Sequence, residues 1–328
     1  MDSIRWGILG TGMISTALAE TIGALPDGKV VAVGSRQQST ADAFAARYGI
    51  EAAYGSYAAL AAAPDVDVVY VGTTNDLHLP NTMACLAAGK PVLCEKPFAL
   101  NRWEANRMVE LAHRQRLFLM EAMWMRFQPA FQRVQALVAE GRIGEVRLVQ
   151  ADFGFPADPN PEGRLFNPRL GGGSLLDVGI YPLNIAYSLL GAPASFQVEW
   201  EPAPTGVDAQ LGLVVRHRNG GLSMLTSSLV ADTGVEATVA GSRGRLRVHA
   251  PFHHSARVTL HSRDDLVETF EVGYQGWGYR FEVEEVHRCL REGSLESQRM
   301  PLADTLALME WMDAIRDRLG LRYPGERA

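Results

Sequence analysis

The sequence predicts an α/β protein: an N-terminal doubly wound parallel sheet, then a C-terminal α/β domain with a large, mainly antiparallel open sheet. Two observations predict this fold. In the first third of the chain, short and continuously apolar runs alternate with helical segments, which is typical of a parallel sheet covered on both faces. After Glu121, longer runs alternate polar and apolar residues between turn signals, which indicates an antiparallel sheet with one open face.

The N-terminal elements follow from this alternation. Runs rich in Val, Ile and Leu predict strands at Ile4–Gly10, Val30–Gly34, Val66–Gly72, Val92–Cys94 and Leu117–Met120. The segments between them predict helices at Ile14–Leu25, Thr40–Tyr48, Tyr57–Ala62, Leu79–Ala88 and Trp103–Arg114. Strands and helices in this order favour a parallel sheet with helices on both faces.

The C-terminal elements are of a different kind. Helices are predicted at Pro129–Glu140, Ser174–Leu190, Tyr279–Glu292 and Leu302–Leu319. Strands are predicted at Val146–Phe155, Phe196–Trp200, Leu211–His217, Leu222–Val230, Ala237–Ala240, Arg245–Ala250 and Arg257–Leu260. With no Pro- or Ser-rich linker in between, the chain divides into two adjoining domains, residues 1–121 and 122–328.

Composition narrows the class of protein. The chain has 328 residues, 47% of them apolar and 21% charged, which is a globular balance. Its 31 Lys and Arg against 37 Asp and Glu give a net charge of −6, which disfavours nucleic acid or an anionic membrane as a partner. Cys85, Cys94 and Cys289 form no C-x-x-C pair, and Met1–Arg5 lacks the order of a signal peptide. No apolar stretch is long enough to span a bilayer, so we expect a cytoplasmic protein.

A glycine-rich turn lies between the first strand and the first helix. It reads Gly10-Thr11-Gly12-Met13-Ile14-Ser15, close to the G-x-G-x-x-G/A pattern of dinucleotide-binding folds. Gly10 permits the tight turn, Gly12 lets the backbone approach a pyrophosphate, and Ser15 is small enough for close helix–strand packing. Because the motif sits in a strand–turn–helix context, we expect dinucleotide binding rather than an ordinary glycine turn.

The residues at the end of the second strand indicate whether the chain binds NAD or NADP. Enzymes that use NAD usually carry an acidic residue there, whereas this chain has Ser35 and Arg36. A hydroxyl followed by a guanidinium suits a 2′-phosphate, so the sequence favours NADP. Two alternatives stay open: Arg36 is a solvated loop residue, or the loop around Gln37 to Thr40 bonds the ribose hydroxyls of NAD.

Polar groups also follow two later strands, where an open parallel sheet binds its ligands. Thr73, Thr74, Asn75 and His78 are predicted to contact the cofactor. Thr and Asn can hydrogen-bond a ribose or a carboxamide, while His78 reads as a helix start or packing residue rather than a base. Glu95 and Lys96 come directly after the next strand, and the proline that follows fixes the turn and can direct Lys96 into the cleft. Taken alone, Lys96 would be read as a solvated loop lysine.

These motifs together resemble the glucose–fructose oxidoreductase, inositol dehydrogenase and rhizopine-catabolism family, known as Gfo/Idh/MocA. The resemblance rests on Gly-x-Gly, on Thr-x-Asn-x-x-His and above all on Glu-Lys-Pro, and it extends through essentially the whole chain. Segments 120–129 and 171–181 resemble the branch with dimeric trans-dihydrodiol dehydrogenase and NADP-linked D-xylose dehydrogenase. The family implies a Rossmann cofactor domain, a substrate-binding and oligomerisation domain, and a homodimer or higher homo-oligomer.

The resemblance also implies catalytic residues. Many family members carry Asp-x-x-x-His where this chain has Asp177 and Tyr181, which share one face of a helix. The expected reaction is hydride transfer between a nicotinamide and a secondary alcohol or hemiacetal carbon of a sugar, polyol or cyclic diol. Tyr181 is then the acid/base, Lys96 the cation that favours its phenolate, and Asp177 a positioning group. Without the resemblance, Tyr181 would be read as a half-buried tyrosine.

The remaining candidates carry weaker signals. The resemblance implies that Trp124, Arg126 and Phe153 contact substrate, although the two aromatic residues would otherwise be read as core. His253 and His254 are adjacent, a poor arrangement for a metal, so no metal site is predicted. The alternative function is a non-catalytic dinucleotide-binding sensor or repressor of the same fold, and the presence of both Lys96 and Tyr181 favours the enzyme.

Overall fold

The computed structural model describes residues 3–262 and 265–326, so the outermost residues of both predicted domains lie outside the described chain. The described residues form two compact units. The first unit contains the residues up to 124 together with 276–306, and the second contains 125–275 together with the residues from 307 onward. The chain therefore passes between the units after residues 124, 275 and 306. The division at residue 121 stays a prediction, and it differs from this grouping chiefly in segment 276–306.

A six-stranded parallel sheet forms the centre of the first unit. Its strands are β1 (Ile4–Leu9), β2 (Gly28–Gly34), β3 (Ala52–Tyr54), β4 (Val68–Val71), β5 (Val92–Glu95) and β6 (Leu119–Ala122). Their order in the sheet is β3-β2-β1-β4-β5-β6, and every neighbouring pair is parallel. All four residues of β4 and of β5 are buried, because helices cover both faces. The predicted doubly wound sheet is confirmed.

The helices of the first unit start in two different ways. They are α1 (Met13–Gly23), α2 (Gln38–Tyr48), α3 (Tyr57–Ala61), α4 (His78–Ala87), α5 (Arg102–Gln115) and α8 (Arg280–Glu292). The Asn101 side chain caps α5 by accepting a 2.8 Å hydrogen bond from the Glu104 amide. Helix α1 begins at Gly12 with no side-chain cap and no acidic residue in its first turn. The amides at the start of α1 are therefore left for another acceptor.

Segment 276–306 is tied to the first unit by buried polar contacts. The Trp6 indole N–H of β1 donates to His287 Nε2 of α8 at 2.9 Å. The buried Glu121 carboxylate of β6 accepts hydrogen bonds from the Phe98 amide at 3.2 Å and from the Thr305 hydroxyl at 2.9 Å. Removing the segment would take His287 from the Trp6 indole and Thr305 from the Glu121 carboxylate, so the segment is part of the core of this unit.

An eight-stranded sheet forms the centre of the second unit. Its strands are β7 (Val146–Gly154), β8 (Pro193–Pro202), β9 (Asp208–His217), β10 (Leu222–Ser228), β11 (Ala237–Gly241), β12 (Arg245–Val248), β13 (Arg257–Ser262) and β14 (Asp265–Glu271). Their order is β14-β13-β12-β11-β7-β10-β9-β8. Only the β7–β10 pair is parallel among these neighbours. The predicted mainly antiparallel sheet is confirmed.

One face of this sheet is covered and the other is open. The helices α6 (Pro129–Ala139) and α7 (Ile180–Leu190) belong wholly to this unit, and α9 (Leu302–Leu319) contributes most of its length. Helix α7 contacts β7 and β10. Along β9, Leu213 and Val215 are buried while Val214 and Arg216 are exposed, as a sheet covered on one face requires.

The start of α7 departs from the predicted regular helix. Residues Leu175–Gly179 form a π-helical turn, and the α-helix begins at Ile180. Turns of this kind are rare and occur often at functional sites. Among residues 3–262 and 265–326, no helix combines the length and the apolar character needed to cross a bilayer.

Candidate active site

The glycine turn between β1 and α1 has two glycines with different physical requirements. Gly10 has a φ of +103°, and a Cβ built on it would lie 2.6 Å from the Gly72 carbonyl oxygen. Gly12 has a φ of −79°, and its Cβ would meet no protein atom within 4 Å. The fold therefore requires glycine at position 10, whereas position 12 leaves open space above the start of α1.

That open space fits the pyrophosphate of a dinucleotide. The start of a helix carries a partial positive charge and unpaired amides, and a missing Cβ lets an anion approach them. Met13 is 81% exposed, and Thr11 and Ile14 are half-buried beside it. Ser15 is fully buried and fills the gap between the ends of β1 and β4, as its small size predicts. The residues present thus fit a bound NAD(P).

The end of β2 carries the residues predicted to contact the adenosine ribose. Ser35 is buried, and its amide donates to the Tyr54 carbonyl at 3.0 Å. Arg36 is exposed, and its guanidinium interacts with the phenol of Tyr57 at the start of α3. Burial raises the pKa of Tyr57, and Arg36 partly opposes that effect. Arg36 is therefore held at the carboxyl end of β2 rather than directed away from the sheet.

The turns after β4 and β5 are joined by a buried histidine. His78 is the first residue of α4; its Nδ1 lies 2.8 Å from the Pro97 carbonyl oxygen and its Nε2 lies 3.2 Å from that of Thr73. Burial lowers the pKa of His78, and the hydrogen bonds to the Pro97 and Thr73 carbonyls oppose that effect. The Thr73 hydroxyl accepts from Asn81, and Thr74 and Asn75 are half-buried nearby. His78 thus contacts both the Thr73 turn and the Lys96-Pro97 turn, and its role toward the cofactor stays a prediction.

Two acidic residues, Glu95 and Glu282, interact with each other in the interior of the first unit. Lys96 is half-buried, and Glu95 accepts hydrogen bonds from the Lys96 amide at 3.2 Å and from the Tyr70 hydroxyl at 2.6 Å. Glu282 of α8 is fully buried, and its carboxyl oxygens have no hydrogen-bond partner among the described residues. Burial raises the pKa of Glu282 well above its usual range, and Glu95 adds to that effect. Sequence reasoning missed Glu282 because it lies far along the chain in an ordinary amphipathic helix.

The two predicted substrate residues at the end of β6 fall in different units. Trp124 belongs to the first unit, where its ring lies 4.4 Å from that of Tyr279, centroid to centroid. Arg126 belongs to the second unit and is buried, with its Nε donating to the Asn184 side chain of α7 at 2.8 Å. Asn184 lies one turn after Tyr181, so Arg126 is connected to the helix that carries the predicted acid/base.

Tyr181 sits in an aromatic cluster of the second unit. It is 5% exposed, and its ring centroid lies 5.4 Å from that of Phe153 on β7 and 5.0 Å from that of His253. Phe153 and His253 stack at 4.4 Å with an interplanar angle of 19°. The structure therefore brings together Tyr181, Phe153 and His253, the last of which the sequence analysis had considered only as a metal ligand.

Asp177 lies in the π-helical turn and has a partner that the sequence did not reveal. Arg164, in the segment between β7 and that turn, donates to Asp177 Oδ1 at 2.7 Å. The Arg164 side chain is 54% exposed and that of Asp177 is 9% exposed. A buried carboxylate needs such a donor to compensate for its lost hydration. Arg164 therefore connects the segment between β7 and the π-helical turn to the Asp177 carboxylate.

A second buried carboxylate holds the start of this helical segment. Asp208 Oδ2 accepts from the Leu175 amide at 2.6 Å and from the Ser174 hydroxyl at 2.8 Å. A Cβ on Gly173 would overlap Asp208 Oδ1, so the backbone of residue 173 passes directly over that carboxylate. The preceding residue is also held, because the Tyr323 hydroxyl donates to the Gly172 carbonyl at 2.7 Å. Burial raises the pKa of Asp208 to about 6.

Comparison with known proteins assigns this chain to a family. Residues 4–123 match the oxidoreductase family with an NAD-binding Rossmann fold, and residues 131–247 match the GFO/IDH/MocA C-terminal domain. Together these matches cover most of the chain, which belongs to the Gfo/Idh/MocA family. It is thus an oxidoreductase with an NAD(P)-binding Rossmann domain, which confirms the resemblance predicted from Gly-x-Gly and Glu-Lys-Pro.

Individual relatives match over their whole length. The chain is 34% identical to trans-1,2-dihydrobenzene-1,2-diol dehydrogenase of Mus musculus, covering 99% of each chain, and 36% identical to that of Danio rerio, covering 98% of each. Its fold is similar to a 3-ketoreductase from Actinomadura kijaniata solved with NADP and TDP-benzene, with a TM-score of 0.86, 29% identity, and coverage of 96% of this chain and 98% of the other.

Across the described part of the chain, no group of His, Cys, Asp and Glu side chains is arranged to hold a metal ion.

We expect alanine to reduce the stability of the fold at Gly10 but to weaken cofactor binding at Gly12. Gly10→Ala should destabilise the fold by roughly 1–3 kcal/mol, since it adds a side chain at positive φ against the Gly72 carbonyl. Gly12→Ala should leave the melting temperature within a few degrees of wild type but weaken NADP and NAD binding, because its Cβ occupies only the open space. Thermal melts and cofactor titrations of both variants are the measurement. Equal melting temperatures for the two variants would contradict this assignment.

Asp208 predicts a pH-dependent stability. The pKa of Asp208 in the folded protein is about 6, above the ordinary 3.8. Its contribution to the free energy of unfolding is therefore fully present below pH 4 and is lost as the pH rises through 6. Asp208→Asn keeps an oxygen acceptor for Leu175 and Ser174 without the charge, so its stability relative to wild type should rise by about 3 kcal/mol between pH 4 and pH 7. Urea unfolding at several pH values measures this. Asp232→Asn, an exposed carboxylate of the same unit, is the control and should follow the wild-type profile.

Proposed function

We propose that this chain is an NAD(P)-dependent dehydrogenase or reductase acting on CH–OH groups, with a sugar, polyol or cyclic diol as substrate. The observation that carries the proposal is Tyr181, a phenol placed among Phe153 and His253 on the helical segment that also contains Asp177. The diol dehydrogenases and the 3-ketoreductase that this chain is similar to support the substrate class. Phe153 and Tyr181 offer apolar ring surface to a carbon skeleton, while Asp177 and Arg164 offer polar groups to hydroxyls.

In this proposal the bound nicotinamide supplies the hydride acceptor in oxidation and the hydride donor in reduction. Oxidation also requires that the hydroxyl proton leave the substrate as its C–H bond breaks. Tyr181 takes that proton as phenolate, and in reduction it returns a proton to the carbonyl oxygen. The Lys96 ammonium favours the phenolate and polarises the carbonyl, which matters because an ordinary tyrosine has a pKa near 10. Asp177 positions the substrate hydroxyl.

For the cofactor, we propose a preference for NADP through Ser35 and Arg36. The support is the absence of an acidic residue at the end of β2 and the place of the Arg36 guanidinium beside Tyr57. A guanidinium can meet a 2′-phosphate with two charge-assisted hydrogen bonds, and the ribose hydroxyl of NAD offers no such partner. Thr73, Thr74, Asn75 and Glu95 would complete the cofactor contacts around the ribose and the carboxamide.

We also propose that the open face of the second sheet forms a contact between copies of this chain. Val214 of β9 and Met224 of β10 are directly paired and are 51% and 48% exposed, with Leu222 beside them. Apolar side chains grouped on an exposed sheet face are a common feature of protein interfaces. This contact would make the protein a homodimer or a higher homo-oligomer.

The acid/base assignment predicts the effects of two substitutions. Lys96→Ala and Tyr181→Phe should each retain NADP binding but lower kcat by roughly 10²–10⁴-fold, the range for general acid–base catalysis. The double variant should be little worse than either single one, because the two groups act as a unit. The absorbance of reduced nicotinamide, with NADP and a panel of sugars, polyols and diols, is the measurement. Lys29→Ala at an exposed position and Tyr48→Phe at a half-buried position are matched controls.

Two outcomes would contradict this assignment. If Tyr181→Phe turns over normally, the proton is handled by another group. If wild type binds NADP but oxidises no member of the panel, the non-catalytic sensor becomes the better description.

Cofactor choice gives a separate prediction. Arg36→Ala should weaken NADP binding by roughly 1.5–3 kcal/mol, the range for hydrogen bonds to charged groups, and should leave NAD binding almost unchanged. Titration of both cofactors into wild type and variant measures this. Arg47→Ala on α2 is a matched control, since its guanidinium lies over the Tyr48 ring instead. Equal losses for NADP and NAD would show that Arg36 acts only on the adenine, and a wild type that prefers NAD would exclude the proposal.

A further inference from the structure

The open face of the second sheet has a gap beside its exposed apolar residues. Gly212 of β9 lies directly opposite Glu199 of β8 and Thr226 of β10, so these three residues share the open face. A Cβ built on Gly212 would come within 4 Å of the Thr226 side chain alone, at 3.8 Å. Strand β9 therefore contributes no side chain at this point, and a hollow of about 500 Å³ lies over this part of the sheet.

The residues that line this hollow are mostly polar. Glu199 and Glu201 line it together with Thr226 and Ser228. Glu201 already accepts a hydrogen bond from the Gln210 side chain at 2.7 Å. Glu199 has no hydrogen-bond or ion-pair partner among residues 3–262 and 265–326. A carboxylate beside an empty side-chain position favours a cationic group with several N–H donors, which describes a guanidinium.

An arginine with no partner lies on the same strand and the same face. Arg216 follows Gly212 by four residues, and strand side chains alternate with a period of two, so both positions face the open side. The residues directly opposite Arg216 are Ser195 of β8 and Leu222 of β10, which carry no charge. Arg216 is exposed, and within the described chain its guanidinium has neither a hydrogen-bond acceptor nor an ion-pair partner.

Other charged groups on this face already have partners. Asp152 of β7 accepts a hydrogen bond from the Val235 amide at 2.6 Å. Glu236 of β11 forms an ion pair with Arg247 of β12 at 2.7 Å. These groups need no partner from outside the chain. Glu199 is different, because its neighbours on the face supply no cation.

The spacing along β9 makes this face complementary to itself. In a symmetric contact between two identical faces, residue i meets residue j and residue j meets residue i. A two-fold axis that crosses β9 at Val214, perpendicular to the strand and parallel to the sheet, stacks the two β9 strands antiparallel. Each Arg216 then lies over Gly212 of the other copy, because both positions are two residues, or roughly 7 Å, from the axis. Packed sheets lie about 10 Å apart, which an arginine and a facing glutamate together can bridge.

We propose that Arg216 of one copy enters the hollow over Gly212 of a second copy and pairs with Glu199 there, so that each dimer contains two such pairs. This inference rests on the proposed contact between copies through Val214 and Met224, and it gives that contact an orientation. A guanidinium and a carboxylate can form two parallel hydrogen bonds. Charged pairs fix the register of an interface, which apolar side chains alone leave undetermined.

Charge reversal tests the pair. Glu199→Arg and Arg216→Glu should each raise the dimer dissociation constant of the full-length protein roughly 10–100-fold, because each places like charges together. The double variant restores opposite charges, so its dissociation constant should return to within a few-fold of wild type. Analytical ultracentrifugation with fluorescence detection, from nanomolar to micromolar protein, is the measurement. An unchanged constant in either single variant, or a double variant that does not regain wild-type assembly, would overturn the pairing.

A further variant tests the hollow without any change of charge. Gly212→Val fills the space, and a strand accommodates valine well where a new Cβ meets a single side-chain atom within 4 Å. The circular dichroism spectrum should match wild type, while the dissociation constant should rise roughly 10-fold as the arginine is displaced. Glu110→Arg and Arg114→Glu, exposed on α5 of the first unit, are matched controls and should assemble as wild type does. Wild-type assembly of Gly212→Val would contradict an occupied hollow.

The pairing and the proposed contact between copies fail in different ways. Val214→Glu places a charge at the centre of the face and should dissociate the dimer in any orientation. If it does so while the reversals at Glu199 and Arg216 have no effect, the contact stands and the pairing is wrong. If Val214→Glu assembles as wild type does, the contact itself is wrong and the pairing is wrong with it. A monomeric wild type would overturn both and would leave the hollow to a small cation or another protein.

Discussion

A buried carboxylate needs hydrogen-bond donors to replace its lost hydration, and two carboxylates that meet this need, Glu121 and Asp208, join separate stretches of chain within the two units. In the first unit, Glu121 joins the turn after β5 to the start of α9 by accepting from Phe98 and Thr305. In the second, Asp208 holds Ser174 and Leu175, and thereby the segment that leads to Asp177 and Tyr181. Site geometry in each unit therefore depends on a carboxylate that takes no part in the proposed chemistry.

Much of the fold could be predicted because the deciding signals are local. Continuously apolar runs identified five of the six strands of the first sheet. The missing strand, Ala52–Tyr54, has three residues and none is β-branched, so nothing in its composition marks it. The strand Asp265–Glu271 was missed because its polar residues gave no apolar run, and only pairing with β13 defines it. The π-helical turn was read as ordinary helix, since π and α turns have no distinct hydrophobic pattern.

Some residues of the candidate site could likewise be selected from the local sequence, and others could not. Gly10, Gly12 and Lys96 could be selected from the sequence because their neighbours in the chain, a strand end and a helix start, define their surroundings. Arg164, Asp208 and His253 could not, since no local motif in the sequence marks their contacts with Asp177, Ser174 and Tyr181. A polar residue becomes informative only when burial and a specific partner are known. The assigned roles of these residues stay predictions.

The placement of segment 276–306 has a consequence for expressing the cofactor unit by itself. A chain stopped after residue 124 would lack α8 and residue 305, so the Trp6 indole would lose His287 and the Glu121 carboxylate would lose Thr305. Such a fragment would bury polar groups without partners and expose the apolar surface that α8 covers. A self-sufficient version would instead join residue 124 to residue 276 through a short linker and end after residue 306. The natural chain thus completes its first unit only after most of the second has been synthesised.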